Sequence, residues 1–243
     1  MNETSEYLDM TEHTLHSAIE RASDSISAAG RIVSECFDRD GLLYVFGSGH
    51  SHIFAEEAFY RAGGAARVCP ILVPRHMLHE GAIQSTELER ETGLAGDLLD
   101  RYSIDESSDV LLVVSNSGAN ALPVEVAQTA RARGVPVIAI TSVAYANAST
   151  NPGARLHQVA DVVLDNLCPP GDALVSLGEK LPRVGPASSV VGLALLNAVI
   201  VDALARQCAL GSRPDIYLSA GMPDARAHNH QLAELFRQRN PHI

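Results

Sequence analysis

Two apolar runs of five residues are each followed directly by a short polar loop, and this repeated arrangement is the strongest constraint on the fold. Residues 42–46 lead into Gly47-Ser48-Gly49-His50-Ser51-His52, and residues 110–114 lead into Ser115-Asn116-Ser117-Gly118-Ala119-Asn120. Such a run between turn residues predicts a buried strand of a parallel sheet. A Gly/Ser loop between strand and helix presents backbone N–H groups and hydroxyls to an anion. The pair predicts a small phosphorylated ligand at the carboxyl ends of two strands.

The bulk composition narrows the class of protein. Of the 243 residues, 46% are hydrophobic and 19% are charged, which favours a packed globule over a disordered chain. A net charge of −11 argues against nucleic acid as a partner. The four cysteines form no Cys-x-x-Cys pair, the first residues are acidic, and the apolar stretch 190–204 is interrupted by Asn197 and Asp202. We therefore expect a cytoplasmic protein that contacts neither nucleic acid nor a membrane.

Helices and strands alternate along the chain. Helical spacing predicts an N-terminal helix over about residues 7–38 and a tail helix over about 227–239. The strands are predicted at residues 42–46, 67–73, 110–114, 136–140 and 162–164, and the other helices near 51–62, 85–91, 95–102, 123–133 and 187–208. This order predicts one α/β domain over residues 1–243, a three-layer α/β/α sandwich with a mostly parallel five-stranded sheet.

A dinucleotide site is the first alternative for the loop after residue 46. Gly47-x-Gly49 begins like the dinucleotide fingerprint, but Ser51-His52 stands where the third glycine belongs. The second predicted strand ends in Val73-Pro74-Arg75, where that fingerprint needs an acidic residue. A loop of Ser, Asn and Gly residues is also common in ordinary turns. What indicates a site is that two such loops occur at corresponding positions, each directly after a strand.

The two loops resemble those of the SIS (sugar isomerase) domain proteins, whose fold is flavodoxin-like. The first matches a G-x-G-x-S pattern at Gly47, Gly49 and Ser51, and the second matches S-x-S-G-x-T/S except that it ends in Asn120. The stretch Pro186-Ala187-Ser188-Ser189 is similar to the segment that closes the sugar-phosphate pocket in that family. The resemblance implies that Ser48, Ser51, Ser115, Ser117 and Asn120 hold the phosphate and the sugar hydroxyls. The other candidate ligand-binding residues of these segments are Gly49, His52, Asn116, Gly118, Ser188 and Ser189.

Glutamates and histidines after the first two strands are the candidate catalytic residues. Removing a proton next to a sugar carbonyl needs a base, and protonating an oxygen needs an acid. Glu57, His79 and Glu80 suit these roles, although a single glutamate is more often a solvated helix residue. The stretches Ala55-Glu56-Glu57-Ala58 and Glu80-Gly81-Ala82 resemble the two glutamate segments of SIS-fold N-acetylmuramic acid 6-phosphate etherases, which implies an elimination.

The resulting hypothesis is a lyase or isomerase that abstracts the C2 proton of an amino-sugar or hexose 6-phosphate. The proton loss leads either to β-elimination, as in a dehydratase or etherase, or to aldose–ketose isomerisation. The alternative is a non-catalytic sensor or assembly protein that binds a sugar phosphate. Deuterium exchange at C2 separates these two classes.

Histidines raise the separate question of a metal. His50, His52, His76, His79, His228 and His230 do not have the spacing of a tight site, so neither a metal nor another cofactor is expected. The tail residues His228 and Asn229 either cap a terminal helix or reach the pocket of a neighbouring subunit, as SIS proteins share sites across dimers. Apolar faces on the helices at 7–38 and 190–204 predict a homodimer or tetramer.

Overall fold

The centre of the molecule is a five-stranded sheet in the order β2-β1-β3-β4-β5, and all four neighbouring pairs are parallel. A computed structural model describes residues 2–243. The strands are β1 Leu43–Gly47, β2 Val68–Ile71, β3 Val110–Val114, β4 Val137–Thr141 and β5 Val162–Asp165. The first four are buried along their whole length, as expected for strands covered on both faces.

Helices cover both faces of this sheet and form two separate groups of buried apolar side chains with it. One face is covered by α1 (Glu3–Asp38), α2 (Ile53–Ala58) and α8 (Ser188–Ala209). The other is covered by α4 (Ala95–Leu99), α5 (Ala121–Ala132), α7 (Leu156–Val159) and α9 (Ala225–Phe236). Two further helices, α3 (Ala82–Leu88) and α6 (Val143–Ala148), follow β2 and β4. The predicted three-layer α/β/α sandwich is confirmed.

The two longest helices, α1 and α8, pack closely side by side. A Cβ on Gly30 of α1 would lie 2.1 Å from Asp202 Oδ2 of α8, so this contact requires a glycine. Asp202 in turn accepts a hydrogen bond from Arg206 Nε at 2.6 Å, and Arg206 Nη2 donates to Ser27 Oγ of α1 at 2.9 Å. By length and composition alone α8 could cross a membrane, but a helix buried in a protein core has the same composition.

The prediction of one helix over residues 51–62 is wrong. A 3₁₀ turn occupies His50–His52, α2 ends at Ala58, and Phe59 has an extended backbone. Tyr60 then has a φ of 46°, in the left-handed region, and its ring lies 4.7 Å from that of Tyr217. Further along, residues 63–66 run antiparallel to residues 215–217, and Gly63 N donates to the Tyr217 carbonyl at 2.8 Å. The chain therefore leaves the helix and turns towards this distant segment.

Other boundaries shift by a few residues. The N-terminal helix begins at Glu3, where Asn2 Oδ1 accepts from Ser5 N, and the tail helix ends at Phe236 rather than near residue 239. The second strand is shorter than predicted, and α3 lies earlier than the predicted helix near 85–91. The sequence patterns did not predict the short helices α6 and α7.

The chain beyond α9 is attached to the sheet by buried polar contacts. Asp109, at the start of β3, accepts hydrogen bonds from Leu42 N at 2.8 Å and Asp105 N at 2.6 Å, and its carboxylate pairs with Arg239. Asn240 Nδ2 donates to the Val68 carbonyl at 3.1 Å. Because Asp109 and Asn240 are buried, these contacts satisfy polar atoms that would otherwise be costly to bury.

Candidate functional site

A cavity of about 240 Å³ lies at the carboxyl end of the sheet, where the loops after β1, β3 and β5 meet the start of α8. It is lined by His50, Ser51, Phe54, Val114, Asn116, Asn166, Asp172, Pro186, Ser188 and Ser189. Ligands of open parallel sheets bind beyond the carboxyl ends of the strands. Pockets for drug-sized ligands measure about 300–1,000 Å³, so this cavity suits a smaller molecule, such as one monosaccharide.

Two glycines allow the loop after β1 to turn sharply at the cavity wall. A Cβ on Gly47 would lie 2.2 Å from the Ser51 carbonyl oxygen, which leaves no room for a side chain. Gly49 has a φ of 57°, in the left-handed region that favours glycine. The turn brings His50 and Ser51 to the cavity, whereas Ser48 is buried and does not line it.

Histidine and glutamate side chains gather beside this loop. His52 Nδ1 lies 2.5 Å from the Gly49 carbonyl oxygen, and its Nε2 lies 3.7 Å from Glu56 Oε1. The ring of His79 is 5.7 Å from that of His52, and His79 Nε2 is 3.7 Å from Glu80 Oε1. We call His52, Glu56, His79 and Glu80 the histidine–glutamate cluster. Groups that can give and take protons therefore lie next to the first loop.

The three candidate catalytic residues occupy two different places. His79 and Glu80 belong to the histidine–glutamate cluster, where both side chains are more than half exposed. Glu57 forms an ion pair with Arg61 instead. Within residues 2–243, the cavity lining includes none of the three. Any catalytic role for His79 or Glu80 therefore requires a ligand that extends from the cavity to the cluster.

The loop after β3 presents an oriented amide to the cavity. Asn166 follows β5, and its Oδ1 accepts a hydrogen bond from Cys168 N at 3.0 Å. Its Nδ2 therefore faces the Oδ1 of Asn116 and donates to it at 2.9 Å. The Oδ1 of Asn116 is thereby used, and its Nδ2 makes no hydrogen bond within the described part of the chain. A free N–H donor is thus fixed at the wall of the cavity, as a phosphate or carbonyl oxygen requires.

The remaining residues of this loop hold its shape. Ser115 is buried, and its Oγ accepts from Gly118 N at 3.2 Å. Gly118 has a φ of 56°, and a Cβ there would lie 2.5 Å from Thr141 Oγ1. Ser117 is half-buried at the turn and lies outside the cavity lining.

Asn120 does not line the cavity at the carboxyl end of the sheet. Its Nδ2 donates to the Glu89 carboxylate, and its Oδ1 accepts from Asn151 Nδ2 at 2.9 Å. Asn120 and Asn151 line a second cavity of about 230 Å³. Glu89 also approaches the first loop, since a Cβ on Gly49 would lie 3.1 Å from its Oε2. The residue at which the second loop departs from the SIS pattern therefore links that loop to Glu89.

A carboxylate that the sequence patterns missed binds the beginning of α8. Asp172 Oδ1 accepts from Ser188 N at 2.9 Å and Ala187 N at 3.2 Å, and its Oδ2 accepts from Ser188 Oγ. Ser188 and Ser189 both line the cavity, as does Asp172 itself. The hydroxyl of Ser188 is thus already bound to a protein carboxylate.

Six residues line the cavity but were not among the predicted ligand-binding residues; they are His50, Phe54, Val114, Asn166, Asp172 and Pro186. They differ in whether the sequence contained a signal for them. Asn166 could have been found, because a polar residue directly after the fifth strand lies at the same edge as the two loops. Asp172 gave no signal, since aspartate is common in loops and its partners lie 15 and 16 residues further along the chain.

Burial determines the protonation states of the Cys168 thiol and the His76 imidazole. Burial, together with the Asp172 carboxylate, raises the pKa of the Cys168 thiol to about 12, so this thiol is no nucleophile at neutral pH. Burial, together with the Arg75 and Arg101 guanidinium groups, lowers the pKa of His76 to about 4. His76 is therefore neutral, with Nε2 accepting from Arg75 Nε at 3.3 Å.

The tail residues His228 and Asn229 bind their own chain. His228 Nε2 donates to the Ile216 carbonyl at 2.8 Å. The Asn229 amide binds both backbone groups of Leu218, accepting at 2.9 Å and donating at 2.8 Å. These contacts secure residues 216–218, the segment that pairs with residues 63–66 after α2. In residues 2–243 no three His, Cys, Asp or Glu side chains are arranged to hold a metal ion.

Residues 6–142 match the family model of the SIS domain. UPF0309 proteins of Brucella canis, Brucella melitensis biotype 2 and Brucella suis biovar 1 are 47% identical to the chain over 229 residues. The alignments cover 94% of this chain and 91% of each relative. The similarity therefore extends over nearly the whole sequence.

Solved structures share the fold at low sequence identity. Phosphoheptose isomerase GmhA from Neisseria gonorrhoeae is 16% identical, with a TM-score of 0.55 over 83% of this chain and 97% of that one. The Vibrio vulnificus NanR protein complexed with ManNAc-6P is 15% identical, with a TM-score of 0.50 over 95% of this chain and 69% of that one. At such identities the similarity shows the architecture alone.

Proposed function

Because this chain belongs to the SIS domain family, as its two Ser/Gly loops predict, we propose that it binds a sugar phosphate and catalyses proton transfer on it. Proteins of the same fold include a phosphoheptose isomerase and a protein complexed with ManNAc-6P. A fold supports many functions, so the proposal depends on the site itself.

The free amide of Asn116 is the observation that carries the proposal. Its Nδ2 is oriented by Asn166 and borders a cavity large enough for one monosaccharide. Hydroxyls of Ser51 and Ser189 add donors at the same cavity. The phosphate is proposed to bind here, with the sugar extending towards the mouth.

The proposed reaction begins with loss of the C2 proton from the open-chain sugar. A base takes this proton, and the electrons of the C–H bond form an enolate with the carbonyl. In an isomerase a proton is added at C1 and the hydroxyl proton of O2 moves to O1, so that C2 becomes the carbonyl carbon. In a lyase the electrons of the enolate expel the C3 substituent, whose oxygen is protonated as it leaves. Glu80 and His79 are proposed as the two proton-transfer groups, with His52 beside them. Glu57 is less suited to act as the base, because Arg61 holds its carboxylate in an ion pair.

A sensor without catalysis is the second candidate, and one observation favours it. Among residues 2–243, the proton-transfer candidates lie outside the cavity lining. A ligand that fills only the cavity therefore does not contact them. In that case a sugar phosphate stabilises the protein but exchanges no proton at C2.

The experiment is incubation with a panel of aldose and ketose 6-phosphates in deuterated water. Deuterium at C2, or loss of a substituent, is followed by NMR, and thermal stabilisation by each ligand is measured in parallel. We expect exchange with at least one ligand, and the Glu80→Gln variant is expected to lose it while keeping the stabilisation. Glu87→Gln is the matched control, an exposed glutamate on α3.

The outcomes separate the candidates. Stabilisation without exchange supports the sensor. If Glu80→Gln exchanges deuterium as fast as the unmodified protein, the assignment of Glu80 is wrong. If no sugar phosphate of the panel stabilises the protein, the proposal as a whole fails.

We further propose that the protein acts in the cytoplasm as a homodimer, without a metal or other cofactor. Support for the dimer comes from exposed apolar side chains on the two long helices. Ile19 of α1 is 45% exposed, and Val190 and Val201 of α8 are 46% and 65% exposed. Light scattering tests this proposal, with Val201→Glu as the variant expected to shift the mass to that of a monomer.

A further inference from the structure

The charge of Asp172 points to a narrower ligand class than sugar phosphates in general. We infer that Asp172 makes the cavity select sugar phosphates that carry a free, protonated amino group. This inference rests on the proposed function, because it concerns which ligand the same cavity prefers.

The hydrogen bonds that Asp172 accepts come from neutral groups of the described chain. A carboxylate has about four lone-pair positions. The two N–H groups at the start of α8 and the Ser188 hydroxyl use three of them, and the Cys168 thiol, a weak donor that a ligand can displace, is the partner for the fourth. The carboxylate also borders the cavity. A ligand in the cavity therefore meets an acceptor at this wall, in contrast to the N–H donor that Asn116 presents.

The cavity offers little to neutralise this charge. Among residues 2–243 its lining includes no lysine or arginine, and no guanidinium group pairs with Asp172. The first N–H groups of α8 supply a partial positive charge, equivalent to about half an elementary charge. The chain as a whole carries a net charge of −11. A cationic group on the ligand would therefore complete the charge balance at this wall.

These two walls orient the ligand. A phosphate is repelled by the Asp172 carboxylate and is bound by the Asn116 amide and the loop before α5. A hydrogen bond from an ammonium group to a carboxylate is roughly twice as strong as one from a neutral hydroxyl. An N-acetyl group has no positive charge and needs more room in a cavity of about 240 Å³. The amino sugar phosphate is thus favoured over both its hydroxyl and its N-acetyl counterparts.

Capping α8 is the ordinary role for Asp172, and the Asp172→Asn variant separates the two roles. Asparagine keeps one oxygen for the two N–H groups, and its NH₂ group can donate to the Ser188 hydroxyl, so the cap is retained without the charge. Asp165→Asn is the matched control. Asp165 Oδ1 also binds two backbone N–H groups, those of Val143 at 3.1 Å and Leu167 at 3.0 Å, but it lies outside the cavity lining.

The test measures dissociation constants by calorimetry for three sets of ligands. Each set contains a hexosamine 6-phosphate, its hydroxyl counterpart and its N-acetyl counterpart, in the gluco, galacto and manno configurations. In at least one set we expect the unmodified protein to bind the amine about tenfold more tightly than both counterparts. Asp172→Asn is expected to remove this preference by weakening only the amine, and Asp165→Asn to retain it.

Three results would overturn the inference. In the first, the unmodified protein binds all members of each set equally. In the second, it prefers the N-acetyl or the hydroxyl form. Neither measurement needs a variant. Alternatively, Asp172→Asn would weaken all three members alike, as the loss of a purely structural cap predicts. In each case the proposed function stands, since sugar phosphates still bind. Failure of every sugar phosphate to bind overturns the proposed function and this inference together.

Discussion

Asp109 and Asp172 both bind backbone N–H groups, yet they lie in opposite environments. Asp109 is fully buried, accepts from Leu42 N and Asp105 N, and is paired with the Arg239 guanidinium group. Asp172 borders an open cavity, and no cation of the described chain pairs with it. A carboxylate that is buried with its counter-charge stabilises the fold. One that is left without a counter-charge at a cavity remains available to a ligand.

The two regions also differ in how completely their amides are used. In the tail region, Asn240 Nδ2 donates to the Val68 carbonyl, and its Oδ1 accepts from His242 N at 3.1 Å. At the cavity, Asn116 uses its Oδ1 but keeps its Nδ2 free among the described residues. Complete pairing is typical of structural polar groups, so unused hydrogen-bonding capacity at a cavity indicates a binding site.

The largest expected effect is on the tail region. Replacing Asp109 by alanine leaves two backbone N–H groups without an acceptor and the half-buried Arg239 guanidinium group without its carboxylate partner. Losing these contacts together costs about 3–5 kcal/mol of the free energy of unfolding. Urea unfolding measures the loss, and Asp100→Ala is the control, because Asp100 pairs with Arg133 at the surface. There we expect less than about 1 kcal/mol. Equal losses in the two variants would show that burial does not distinguish the pairs.

The second prediction concerns a buried base without a carboxylate partner. The pKa of His76 is lowered from 6.5 to about 4, so between these values the unfolded chain binds more protons than the folded one. The free energy of unfolding therefore falls as the pH falls through this window, by the order of 3 kcal/mol from this group. Burial lowers the pKa of His242 as well, which adds a loss of the same sign.

The His76→Gln variant tests this assignment, since glutamine does not titrate. Urea unfolding at pH 7 and pH 4.5 is expected to show a smaller pH dependence in the variant than in the unmodified protein. His230→Gln is the control, because His230 is exposed on α9. An unchanged pH dependence in His76→Gln would assign the acid sensitivity to other groups.

The smallest effect is expected at the cavity, on the affinity for a ligand. Asn116→Ala removes the free Nδ2 donor together with the acceptor of Asn166 Nδ2, so sugar-phosphate binding should weaken about tenfold, as for one hydrogen bond of about 1–1.5 kcal/mol. Asn120→Ala is the comparison, because Asn120 binds Glu89 and Asn151 rather than lining the cavity. It is expected to change the dissociation constant less than about threefold. A larger loss of affinity in Asn120→Ala than in Asn116→Ala would place the ligand at the second cavity.

The fold was predictable because apolar runs, which must be buried, recur along the chain. Residues 42–46 and 110–114 are continuous apolar runs, and both form strands that are buried on each face of the sheet. The end of α2 was not predictable. The chain leaves the helix at Phe59, and the ring of Tyr60 lies 4.7 Å from that of Tyr217, which is far away in the sequence. Local patterns contain no record of such a contact.

The candidate site divides in the same way. Gly47, Gly49 and Gly118 were recognisable, since sharp turns after strands require glycine, and these turns set the position of the loops. Which side chains face the cavity was not recognisable. Asn120 turns to Glu89 rather than to the cavity, and Asp172 reaches α8 from a loop with no distinguishing pattern.

By itself, the sequence determined the α/β architecture, the SIS family and the edge of the sheet at which the cavity lies. These follow from local causes, namely apolar runs that must be buried and turns that only glycine allows. The tertiary structure alone decided that Asp109 is neutralised by Arg239 and that Asp172 is not. The physical reason is that the free energy of a charged group depends on the partners and the solvent around it, which are fixed only when distant segments pack together.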